Sequence, residues 1–150
     1  MSWSGVLSTV HTHLTTAGAS LSPTITLIRR GEPFSSLERQ IAYWYDGDQE
    51  STTGGNTLTR VNIQERLTIR CYWPVLNRDA QWMSDIEVQV QAANRAIQSA
   101  LWGDAHLGEN AIGLDIGNTQ AGWQPVGEAW IRVLTIPVLV DLAETEVIAN

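Results

Sequence analysis

The chain is 150 residues long, which suits one domain and leaves little room for two. Its hydrophobic content of 43% excludes wholesale disorder, and its charged content of 17% is low for a globular protein. Nine basic residues, all Arg, face sixteen acidic ones, and the net charge of -7 argues against a free-standing nucleic-acid binder or a coat for anionic membranes.

Trp3 to Thr16 reads as a first helix, with Val6, Leu7, Val10 and Leu14 on one face and Gly18 at its end. Thr24 to Arg29 is rich in β-branched residues and reads as a strand. Ile41–Tyr45 reads as a second strand. Asp46 to Thr59 holds three Gly, three acids and many small polar residues, and is expected to be a long loop.

Arg60 to Trp73 carries the clearest strand pattern. Val61, Ile63, Leu67, Ile69, Cys71 and Trp73 fall on odd positions, while Asn62, Gln64, Arg66, Thr68 and Arg70 fall on even ones. Asp79 to Trp102 carries the clearest helix pattern, through Ile86, Val90, Ala93, Ile97 and Leu101, with Gly103 as its stop. At ~1.5 Å per residue this helix is long enough to cross a whole sheet. A strand is expected at Ala111–Ile116, a turn at Gly117-Asn118, and a long final strand from Gly127 to Leu142. Pro137 places the far half of that strand at a sheet edge or a bulge. Ala143–Asn150 reads as a short acidic tail.

The order of elements gives an α+β domain: a mainly antiparallel sheet of about four to five strands, an N-terminal helix and one long helix packed across it. The whole chain, 1–150, is one domain, with a polar loop at 46–59 and a tail at 143–150.

The sequence carries few residues arranged for chemistry. His11 and His13 are two apart on a helix and cannot chelate one metal from there. Asp46, Asp48 and Glu50 alternate like the start of a calcium loop, but Ser51 and Thr57 stand where Gly and Glu are required. Cys71 falls on the apolar face of its strand, the place of a small buried hydrophobe, and as a lone cysteine makes no internal disulfide. No nucleophile elbow, phosphate loop or paired carboxylate is present. Catalytic residues, cofactors and metals are therefore not expected. No apolar run approaches the ~20 residues that span a bilayer, and no basic flank precedes Arg29, so a soluble protein without a secretory signal is expected.

Seven Trp beside a single Phe is unusual. Burying all seven with every indole N–H satisfied is difficult, and Trp and Arg are enriched at interface hot spots. Trp44, Trp73, Trp82, Trp102, Trp123, Arg29 and Arg30 are the candidate interface residues. Asp46, Asp48, Glu50, Gly54 and Gly55 mark the loop as a candidate mobile or channel-lining segment. A ligand pocket, if one exists, is expected between Trp44, Trp73 and Trp130.

Several segments together resemble the tail terminator, or tail-completion, proteins of long-tailed bacteriophages and gene transfer agents. They are the helix end TTAGAS, strand Ile41–Tyr45, the segment Glu65–Trp73, the helix end Ile97–Gly103 and the closing strand Arg132–Val138. The likeness covers nearly the whole chain as order and pattern. It implies a structural protein of the virion, made in the host cytoplasm. It would form a homo-oligomeric ring, typically a hexamer, on the last ring of tail-tube subunits, halt tube growth and meet the head-side connector. DNA would pass through its centre without specific binding, and no membrane is involved. Another neck or head-completion protein is the alternative, followed by a small-ligand-binding α+β domain.

Overall fold

The computed structural model describes residues 3–32, 38–53, 61–75, 80–127 and 129–144; the side chains of 47–53, 61–63, 80–83 and 143–144 lie outside the description. The elements are α1 (Trp3–Ala19), β1 (Ile28–Arg30), β2 (Gln40–Thr53), β3 (Val61–Val75), α2 (Ala80–Trp102), β4 (Gly113–Ile116), β5 (Gln120–Val126) and β6 (Ala129–Glu144). The fold is α+β, as the order of sequence patterns requires. The strands form one six-stranded sheet in the order β1-β2-β3-β6-β4, and β5 also pairs with β6. Only β1 and β2 run parallel.

The odd-numbered apolar residues of β3 decide which face is buried. Leu67, Ile69, Cys71 and Trp73 join Ile41 and Tyr43 of β2 and Leu134, Ile136, Val138 and Val140 of β6 in the main core. Both helices close over that face: Val6, Val10 and Leu14 from α1, and Ile86, Val90, Ala93, Ile97 and Leu101 from α2. The opposite face carries a smaller cluster of Ala42, Tyr72, Ile131 and Val133, with Trp44 and Val126 against it. No helix covers that second face among the described residues.

Four sequence expectations need correction. β1 begins at Ile28, because the chain at Ile25 is still tied to the end of α1. The Ile25 N–H donates to the Gly18 carbonyl at 3.0 Å, and a Cβ on Gly18 would come within 2.3 Å of the Ile25 carbonyl oxygen. The expected loop at 46–59 is strand as far as Thr53. After a register shift between Tyr45 and Gln49, β2 pairs with β3 from Gln49 opposite Glu65 to Thr53 opposite Val61. The long alternating β3 supplies a pairing template that the polar composition of β2 does not reveal; residues 54–60, with Gly54 and Gly55, lie outside the described residues. The expected tail begins later, since Ala143 and Glu144 still pair with Asn62 and Val61.

The fourth correction is β5, which sequence pattern does not show. Its residues QAGWQPV are exposed except for Val126, so no burial periodicity exists to read. It forms because the tight turn at Gly127, with φ of 61°, folds it back along β6.

Pro137 sits at the bulge expected of it. β4 ends with Ile116 opposite Val138, and β5 begins with Gln120 opposite Thr135, so Gly117–Thr119 faces only Ile136 and Pro137. The Gly117 N–H donates to the Pro137 carbonyl at 2.9 Å. A strand residue's N–H and C=O point to one side, so the N–H that Pro137 lacks would have pointed at this break. A Cβ on Gly117 would meet Pro137 Cγ at 3.1 Å, which accounts for the glycine.

Candidate functional site

The candidate interface residues divide between core and surface. Trp73 is 1% exposed beneath the helices, so it is a core residue and not available to a partner. Its odd position on β3 placed it there. Trp44 lies half-buried on the opposite face, with the Arg70 guanidinium 5.1 Å from its ring centre. These two rings are separated by the sheet itself, so the expected pocket between Trp44, Trp73 and Trp130 does not form. Trp82 stands in the first turn of α2, with its side chain outside the description. Trp102 closes α2 and is 48% exposed.

Trp123 is exposed on β5, and the Arg132 guanidinium stacks 5.1 Å from its ring centre. Arg132 also forms an ion pair with Glu87 of α2: Nη2 donates to Oε2 at 3.0 Å, while Nε lies 2.9 Å from Oε1 without hydrogen-bond alignment. One arginine thus ties the long helix to the β5–β6 hairpin. Trp130 lies outside the candidate interface set, yet it too is exposed. It pairs with Pro125 while Trp123 pairs with Arg132, so the two indoles are diagonal neighbours on one face of the hairpin. The signal was available: Trp130 shares parity with Arg132 but lies beyond the last core position of β6.

At the other edge Arg29 and Arg30 are exposed on β1. Arg30 lies over Tyr43 and its Nε donates to Tyr43 Oη at 3.3 Å; Nδ1 of His11 lies 2.7 Å from the same hydroxyl. Tyr45 and Trp3 meet edge-to-face with ring centres 5.3 Å apart. Asp46, Asp48 and Glu50 stand on the backbone of β2 rather than in a loop.

Two open grooves flank β5. One, of ≈350 Å³, lies between Arg70, Thr135 and Val133 and the β5 residues Gln120, Gly122 and Gln124. The other, of ≈420 Å³, lies between α2 and the sheet and is lined by Glu87, Val90, Gln91, Asn94, Ala121 and Leu134. Both are shallow; the first is of mixed polarity and the second is the more apolar, through Val90, Ala121 and Leu134.

Among the described residues, titration shifts are few and scattered. Burial pushes the Cys71 thiol far up, which keeps it protonated and inert. Burial also raises Tyr72, against the opposing effect of Arg70. Asp104 is held below the usual carboxylate range, first by its hydrogen bond to His13 and then by the Gly108 N–H. These three groups belong to three separate places, and no cluster of three metal-ligating side chains occurs among the described residues. Among the described residues no helix is long and apolar enough to cross a membrane.

No family model matches the chain, and no curated protein matches it. A solved structure does: a chain from the virion of a native gene transfer agent particle. The TM-score is 0.52 at 13% identity, and the match covers 90% of this chain and 92% of that one. The two chains share a fold. The likeness extends over nearly the whole length of both, so it concerns the complete arrangement of helices and sheet.

Proposed function

We propose that this chain is a structural protein of a phage-like or gene-transfer-agent-like virion, and that within the particle it forms the collar ring that ends the tail tube. The observation that carries the reading is the end-to-end fold likeness to a chain that is itself part of such a particle. The surface supports it. Exposed aromatic side chains stand at separate places, Trp102 at the end of α2 and Trp123 with Trp130 on the hairpin, as a subunit with several neighbours needs. The helix-free sheet face and the shallow grooves suit protein contacts better than enclosure of a small molecule. The role needs no catalysis, cofactor or metal. A chain of net charge -7 without lysine would not hold DNA phosphates as the genome slides through the ring. Its partners are other copies of itself, the tail-tube protein and the head-side connector.

The test is mass measurement of the purified chain alone and after mixing with isolated tail tubes. A ring that seats on tube ends and prevents their further growth is expected. A chain that stays monomeric and never binds tubes would overturn the reading. A chain that binds only the head connector would move it to the head side of the neck, as a head-completion protein.

A further inference from the structure

β4 and β5 together form one edge strand along β6, broken only at Gly117–Thr119. Its outer side pairs with nothing among the described residues. Two of its residues are glycines without a visible duty. A Cβ built on Gly113 or on Gly122 meets nothing within 4 Å, and neither residue has a positive φ. A larger side chain would fit at both places and would favour the strand. A strand glycine that its own chain does not require marks a place where another backbone comes close. The grooves on the two faces of β5 add to this, since an added strand sends alternate side chains to opposite faces.

The opposite side of the sheet offers the matching part. β1 covers β2 only from Ile41 to Tyr43, so Trp44–Thr53 of β2 has no outer partner among the described residues. That stretch carries Asp46, Asp48 and Glu50, whereas Arg70 lines the groove beside β5. We propose that a second copy of this chain docks at the β5 edge by adding the free edge of its own β2 as a further strand. The contact joins two different edges, so it repeats head to tail and closes into a ring when the rotation allows. It rests on the collar reading and supplies the lateral contact that reading needs. Pro125 has no N–H to offer, which confines the new pairing to Gln120–Gln124.

The experiment uses the intact chain at rising concentration and on tail tubes. Gly122→Val should leave the thermal midpoint unchanged or raised, yet raise the apparent dissociation constant of self-association at least tenfold. Amide exchange at 120–124 should slow at least tenfold in the assembled form. A Gly122→Cys, Ser51→Cys double variant should give a ladder of disulfide-linked copies on oxidation, with buried Cys71 taking no part. Should Gly122→Val associate as the parent does, or should rings form with exchange at 120–124 unchanged, the strand pairing is overturned while the collar reading stands. Should the chain neither self-associate nor bind tubes, both fall.

Discussion

His13 Nε2 and Asp104 Oδ2 lie 2.8 Å apart and join the last turns of α1 to the turn that follows α2. The same carboxylate accepts the Gly108 N–H through both oxygens at 3.1 Å. One aspartate therefore fixes the crossing of the two helices and the start of the segment that leads to β4.

That arrangement sets an acid limb for stability. The Asp104 carboxyl titrates lower in the folded chain than in the unfolded one, so its contribution is full above the ordinary carboxylate pKa. It is lost as pH falls through the depressed folded value. Asp104→Asn should therefore reduce the difference in urea midpoint between pH 7 and pH 3. An unchanged difference would show that the acid limb arises elsewhere.

Arg132 should matter beyond its charge. Its guanidinium is held by Glu87 and stacked on Trp123, and its side chain is 12% exposed. Arg132→Ala is expected to lower stability by about 1–3 kcal/mol, measured by chemical denaturation. Arg132→Lys should recover only part of it, because an ammonium lacks the planar group that lies over Trp123 while reaching Glu87. Glu87 is half exposed, so Glu87→Gln should cost at most about 1 kcal/mol.

Two glycines should respond in opposite directions. Gly18→Ala places a methyl against the Ile25 backbone and should destabilise by about 1–3 kcal/mol. Gly122→Ala enters open space and should stabilise the isolated chain by roughly 0.5–1 kcal/mol. Thermal midpoints of the two variants test the contrast directly.

Cys71 should be silent toward thiol reagents in the native state. It is fully buried in the main core, and burial keeps its proton on. Labelling is expected only as fast as the chain opens, so the rate should rise steeply with denaturant. Rapid native labelling would contradict the packing of β3 beneath the helices.

Much of this fold was legible because burial is periodic where the helices cover the sheet. The odd positions of β3 and the Ile86–Leu101 stripe of α2 could be read because each meets the other in one core. β5 could not be read, because a strand exposed on both faces leaves no period and is specified by its turn and by β6 alone. The distal half of β2 is the same case, with polar residues held by pairing to β3. Of the candidate interface tryptophans, Trp73 was misplaced although its own alternation pointed to the core. Trp102 and Trp123 lie at the surface, where sequence composition can suggest contact but not locate it.

The collar role is tested most directly by electron microscopy of particles assembled without this chain. The account predicts tails of excessive and variable length that fail to join filled heads. Tails of normal, uniform length seated on DNA-filled heads would contradict it.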